Sequence, residues 1–455
     1  MRFVAGESTL RVTTDMPVSY LADEVEFLLD RPINLIIGTD ESIPEAPAQL
    51  VNEFLEQTAS YWRDWVRDLA VPFDYQEAVI RAAITLKLCT FEDTGAIVAA
   101  LTTSVPEAPH SGRNWDYRYC WLRDSYFTVT ALNRLGATRT MECHVRYILN
   151  AVLSAGISPE VPLYPIVPGT DLTEREAPAL AGFLGMGPVR VGNAAVIQRQ
   201  HDGYGSIILT AAQMFYDERL PKIGDLDLYR QLRPIGDLAA ASALAPDAGL
   251  WEYRERTSIH THSAAMCWAA LHRLGLIAGR VGEIEDRDRW LKLASDLRSK
   301  ILERATSATD GWLAGAFDSD VCDAAVLTLP EIGLLRYDDP RFLRTMEVVE
   351  ERLMHDGLIM RYDAPDDFGR PETAFLVCSL WFIDALVAVG RRTQAEEMFR
   401  RILARRNHLG LLSEDLDGKN GILWGNFPQT FSMVGTILSA MRLSRSWEEG
   451  LWRAS

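Results

Sequence analysis

The sequence predicts an all-α fold in which twelve helices, joined as six hairpins, close into a double barrel behind a short N-terminal run of β-strands. Three observations predict it. From Ala48 onward, apolar residues recur at spacings of three and four in segments of ten to twenty residues that end at Gly, Pro or Asp. The links between these segments alternate between short ones (136–138, 279–282, 390–393) and long ones. The long links, all of one parity, are crowded with Trp, Gly, Asp, Glu and Arg. In a closed ring of hairpins the inner helices line the core, the outer helices cover them, and links of one parity open on the same face. The rich links would then converge on one pocket.

In chain order, residues 10–14, 24–29 and 33–38 are short extended runs separated by Pro- and Asp-rich turns. Such strands cannot bury both faces alone, so they must pack on the helical body or be the remnant of a larger β-sandwich. Residues 41–47 read as a linker with Pro44 and Pro47, which sets the expected division at 1–47 and 48–455. A lead-in helix follows at 49–68. The twelve helices begin near Tyr75, Trp121, Thr138, Gly205, Gly224, Thr261, Ile284, Val321, Asp339, Glu372, Thr393 and Pro428.

At 455 residues the chain is long enough for one large closed architecture or two to three domains. No apolar run is long enough to span a bilayer. A net charge of −17 argues against nucleic acid, whose recognition needs clustered Lys and Arg, and leaves a neutral ligand unaffected. The six cysteines are scattered through apolar helical patterns without metal or redox spacing, so they read as free buried thiols. Met1-Arg-Phe-Val-Ala5 lacks the plan of a signal peptide, so the expected compartment is the cytoplasm.

The chemistry concentrates in the six rich links. The first, 114–124, carries Trp115, Tyr119, Trp121, Arg123 and Asp124. Aromatic faces stack on the CH faces of a sugar, and paired Arg and Asp suit its hydroxyls; a salt-bridged helix start with Asp124 in the first turn is the other reading. The second, 158–204, is too long for a simple connection and ends in a polar stretch with Gln200 and Asp202. Loop-to-loop hydrogen bonding would explain its Asn193 and Gln198. The third places Trp251 beside Glu252, followed by Arg254, Arg256, His260 and His262. An indole neighbour raises a carboxyl pKa as a general acid requires, whereas an ion pair with Arg254 or Arg256 would lower it. The two histidines lack a third metal ligand nearby and read as packing residues. In the fourth, Asp318 and Asp320 are assigned first to capping the next helix. In the fifth, Arg361 is a fixed cation and a solvated turn accounts for Asp366 and Asp367. The sixth holds Glu414, Asp417 and Trp424; its Asp-Gly-Lys-Asn-Gly turn lacks the alternating oxygen ligands of a calcium loop. Two acids on facing loops fit glycoside hydrolysis, in which one protonates the leaving oxygen and the other activates water.

Taken together, Trp-Leu-Arg-Asp124, Leu-Trp-Glu252, Arg361-Tyr and Leu-Leu-Ser-Glu414-Asp resemble glycoside hydrolase family 15, the glucoamylase, glucodextranase and bacterial trehalase group, over about residues 48–443. The resemblance implies an (α/α)6 barrel, inversion at the anomeric carbon, Glu252 as general acid and Glu414 as the base that activates water. It implies that Arg123, Asp124 and Arg361 grip the non-reducing glucose, and that no metal or cofactor is needed. Inversion implies carboxyl groups roughly 6.5–9.5 Å apart. Family members usually open with a complete β-sandwich, of which this chain carries only what reads as the last strands. Open sheet edges leave association into an oligomer as an option.

Two other classes compete: an inverting phosphorylase on the same barrel, against which Glu414 argues, and a non-catalytic carbohydrate-binding regulator, against which the pair Glu252 and Glu414 argues. Trehalose, α-1,4-glucan ends and dextran ends share one glucose subsite, so residues beyond it must choose among them.

Overall fold

In the computed structural model, which describes every residue except 7, 155–157, 221–223 and 453–455, helices dominate. The chain divides into two compact units, Met1–Leu69 and Ala70–Ser455. In the first, β1 (Arg2–Ala5), β2 (Ser8–Thr14) and β3 (Leu35–Thr39) form an antiparallel sheet in that order, with Phe3 opposite Leu10 and Val12 opposite Ile37. The strand expected at 24–29 does not form: Glu24 takes a left-handed φ of 50°, which an extended run cannot contain. A five-residue helix α1 (Val18–Ala22) precedes it, and Phe27 packs on the Tyr20 ring instead. The lead-in helix is α2 (Pro47–Arg67), started by a proline in its first turn.

The second unit holds α3 (Gln76–Leu88), α4 (Leu122–Arg134), α5 (Thr138–Leu149), α6 (Asp202–Tyr216), α7 (Leu226–Ser242), α8 (Thr261–Val281), α9 (Ile284–Ala305), α10 (Pro340–Leu353), α11 (Leu376–Ala388), α12 (Arg392–Leu403), α13 (Thr430–Leu443) and α14 (Trp447–Leu451). Eleven of the twelve expected helices are α-helices. The exception is the one expected near Val321, where only a 3-10 turn, Ala324–Thr328, forms. Asp323 caps that turn by accepting from the Ala325 N–H, and Pro330 and Gly333 prevent its extension.

Burial patterns sort the helices. In α11 nearly every side chain is buried, and α6, α8 and α13 are close to it, so their solvent contact is confined to their C-terminal halves. In α9 only Trp290, Ala294, Leu297, Ile301, Leu302 and Ala305 are buried, a single stripe of a covering helix. Packing follows the same division. α4 packs on α6, α6 on α8, α8 and α11 on the 3-10 turn, α11 on α13, and α13 back on α4. Outside them, α5 packs on α4, α7 and α9 on α8, α10 on the 3-10 turn, α12 on α11 and α3 on α13. No described helix is long and apolar enough to cross a membrane.

Candidate active site

The rich links lead into the N-termini of α4, α6, α8, α11 and α13, and each of these links contributes residues to one cavity. Its open volume is about 830 Å³. The expected residues Trp115, Trp121, Arg123, Asp124, Trp251, Glu252, Arg254, Arg361 and Glu414 all line it. Tyr119, Gln200, Asp202, His262 and Trp424 do not; they stand behind the wall. Tyr119 is buried in an apolar cluster with Trp121, Leu163 and Leu172, and its hydroxyl accepts from the Gly192 N–H at 3.0 Å. Asp202 pairs with Arg123 at 2.8 Å, and the Gln200 carbonyl accepts from the same guanidinium at 2.9 Å. His262 lies buried beside Asp202 and is held down to about 4 by desolvation. Trp424 faces Phe183 edge-on and its strand pairs with Asp415.

Glu252 sits in the turn before α8 with φ of 60°, a left-handed backbone that costs a non-glycine residue about 1 kcal/mol. The turn is held by its own N–H donating to the Gly249 carbonyl and by the Gln198 amide donating to the carbonyls of Glu252 and Tyr253. Three donors converge on one carboxylate oxygen, Oε1: Trp121 Nε1 at 2.7 Å, Gln200 Nε2 at 3.2 Å and Arg123 Nη2 at 3.4 Å. The ion pair with Arg254 or Arg256 weighed from sequence is not made. Arg254 pairs with Glu174, and Arg256 stacks over Tyr253. Trp251 turns instead to Asp323, to which its Nε1 donates at 2.9 Å.

Glu414 lines the same cavity and is only 2% exposed. Its neighbours Asp415 and Leu416 form the middle of a three-stranded ladder between Ala374–Phe375 and Leu423–Trp424. Oε1 accepts from the Tyr117 hydroxyl at 2.7 Å. Gly425 is a steric necessity here, because a Cβ would come within 2.7 Å of the Glu414 side chain. Burial, then the nearby Glu107 and Asp415 charges, pushes the Glu414 carboxyl well above its usual range; Asp415 is raised to about 7 by the same burial. Asp124, in the first turn of α4, is also raised to about 7 by desolvation despite Arg123 beside it.

Four participants escaped the sequence reading. Tyr117 lies in the first rich link, and its ring meets Trp121 at 5.5 Å, so that one segment holds both carboxylates. Glu107 lies seven residues before that link, between Pro106 and Pro109; it accepts from Trp115 Nε1 at 2.8 Å and pairs with Arg361. The acid between two prolines was the available signal. Asp366 and Asp367 do not form a solvated turn. Asp366 makes a bidentate pair with Arg113, and Asp367 accepts from the Arg254 N–H; both line the cavity. Among the described residues no group of three or more His, Cys, Asp and Glu is placed to hold a metal ion.

Against known proteins, the model of the glycosyl hydrolases family 15 matches residues 74–441. The trehalase of Mycobacterium tuberculosis (strain ATCC 25618 / H37Rv) is 34% identical over 405 residues, 86% of this chain and 58% of that protein. The trehalase of Mycolicibacterium smegmatis (strain ATCC 700084 / mc(2)155) is 32% identical over 453 residues, 97% of this chain and 67% of that one. The chain thus spans between 58% and 67% of the length of these relatives. A bacterial glucoamylase complexed with acarbose is similar in structure, with a TM-score of 0.67 at 16% identity over 90% of this chain and 62% of that one. The glucoamylase from Saccharomycopsis fibuligera has a TM-score of 0.59 at 15% identity over 80% and 93%. At such identities the likeness is one of fold, and it agrees with the mostly helical architecture described above. The family model covers most of the chain, and with it the first motif, Glu252 and Glu414: the chain belongs to glycosyl hydrolase family 15.

Proposed function

We propose that the chain is an inverting, exo-acting α-glucoside hydrolase that releases β-glucose, with trehalose as its leading substrate. The observation that carries the reading is the pair of carboxylates on one cavity, each held through a single oxygen by the same aromatic segment: Glu252 by Trp121 and Glu414 by Tyr117. We further propose that the closed packing of inner and outer helices is the (α/α)6 double barrel, that the catalytic domain built on it spans 48–455, and that the strands of 1–47 are the remnant of a β-sandwich.

In this reading, the three donors on Glu252 Oε1 leave Oε2 to carry the proton delivered to the glycosidic oxygen. Glu414 takes a proton from a water that attacks the anomeric carbon from the opposite face, so the configuration inverts. Arg123, Asp124 and Arg361 supply bidentate hydrogen bonds to the hydroxyls of the glucose being released. Trehalose is favoured by the 34% and 32% identical relatives, which are trehalases.

The test is to incubate the protein with trehalose, maltotriose, isomaltotriose and kojibiose, with and without phosphate, and to follow the anomers by NMR. Phosphate-independent β-glucose from trehalose, lost in Glu414→Gln, is the expected result. Glucose 1-phosphate as product would replace the hydrolase by a phosphorylase, and silence on all four sugars would leave a carbohydrate-binding role.

A further inference from the structure

The residues that hold the leaving sugar are the part of the site on which the choice among α-glucosides turns, and the rim beside Glu252 supplies candidates. This inference rests on the proposed hydrolase. A general acid must touch the scissile oxygen, so the side chains just outward from it on the same loop meet whatever follows that oxygen. Two residues on from Glu252, the Arg254 guanidinium stacks on the Trp115 indole at 4.1 Å from its centroid. Trp115 is itself fixed: its Nε1 is bonded to Glu107 and its ring stands edge-on to Phe368 at 5.2 Å. Trp115, Arg254, Asp367 and Phe368 all line the cavity, and Asp367 binds the Arg254 backbone at 2.6 Å.

Behind them stands Glu174, an acid of the long second link that does not reach the cavity. Its side chain is only 12% exposed. It pairs with Arg254 at 3.2 Å and with Arg190 at 3.0 Å, and it accepts from the Ala194 N–H at 3.0 Å. One half-buried carboxylate thus ties the third link to the second. Glu174 occupies two of the five N–H donors of Arg254; the remaining three are available to hydroxyls.

We propose that Trp115 and Arg254 form the site for the leaving sugar, and that Glu174 is the positioning residue that fixes Arg254 there and so selects a hydroxyl-rich sugar as leaving group.

The experiment compares trehalose with α-glucosyl fluoride, which offers the same glucose and base chemistry but no leaving sugar. For Arg254→Ala and Glu174→Gln, kcat/KM on trehalose is expected to fall roughly 10- to 100-fold more than on the fluoride, the worth of one or two charged hydrogen bonds. Glu174→Asp, which keeps the charge, is expected to recover part of the trehalose loss. Equal losses on both substrates, or none on trehalose, overturn the proposal, because a merely structural Glu174 would lower both alike. A wild-type protein that hydrolyses the fluoride but no disaccharide overturns this inference and leaves the hydrolase standing. Silence on the fluoride as well overturns both.

Discussion

The two walls of the cavity hold their carboxylates by opposite means. On the Glu252 wall the backbone is strained, the side chain is 23% exposed, and indole, guanidinium and amide donors all reach one oxygen. On the Glu414 wall the backbone is hydrogen-bonded on both sides, to Leu376 and Asn426, the side chain is buried, and Tyr117 donates to a carboxylate that faces the charges of Glu107 and Asp415. One wall aims its carboxyl group through three donors; the other buries its carboxyl group and sets like charge beside it. The difference matches the two tasks. A proton donor must be aimed, because it acts on one atom of the substrate, whereas a base gains strength from an environment that disfavours its charge.

The largest effects separate the walls by leaving group. Glu414→Gln is expected to lower kcat by about 10²–10⁴-fold on trehalose and on α-glucosyl fluoride alike, since both need an activated water. Glu252→Gln is expected to cost as much on trehalose but far less on the fluoride, which leaves without a proton. Equal behaviour of the two variants on the fluoride would break the assignment of roles.

Next come the single donors. Tyr117→Phe removes the hydroxyl that orients Glu414 and is expected to cost roughly 10- to 100-fold in kcat, the worth of a hydrogen bond to a charged group. Trp121→Phe is expected to cost less, because Arg123 and Gln200 still donate to Glu252 Oε1. Steady-state kinetics on trehalose rank the two directly.

The pH dependence sharpens the same contrast. In the proposed mechanism Glu414 acts ionised, and burial with two neighbouring acids raises its affinity for a proton, so activity is expected to be lost as pH falls through a raised value. The acid limb of kcat/KM is therefore expected well above the ordinary carboxylate value of about 4.3. In Asp415→Asn, which deletes one like charge, the limb should move to lower pH; an unmoved limb would place its origin elsewhere.

The smallest effect is on stability. A carboxyl whose folded pKa is raised binds more protons folded than unfolded, so it costs nothing below its unfolded pKa and progressively more as pH climbs toward the folded value. Glu414→Gln removes that cost. Thermal unfolding should show the variant more stable by on the order of 1–3 kcal/mol near neutral pH, with the difference vanishing toward pH 4.

Much of this protein was legible one residue at a time. Helix starts at Thr138 and Ile284 follow from apolar spacing and from Gly136 and Gly282 two residues before them, and the start at Thr261 from apolar spacing alone, because those signals are local. The short helix near Val321 was not legible as 3-10, since its apolar run looks helical until Pro330 and Gly333 are weighed. The strand expected at 24–29 failed on one residue, Glu24, whose left-handed φ nothing in its type announces.

The amino-acid sequence by itself determined which links gather aromatic and charged residues and that two acids, Glu252 and Glu414, stand in them, because those residues crowd into segments whose spacing marks them as one face. Tertiary structure alone decided which of those side chains meet. It sent Asp202, Gln200 and Tyr119 behind the wall, brought Asp366 and Asp367 to the cavity, and joined Glu174 to Arg254 across 80 positions of chain. The physical reason is range. Helix propensity and capping act within a few residues, whereas the burial and pairing of a carboxylate depend on charges and donors delivered by distant links, which only the closed packing of the helices brings together.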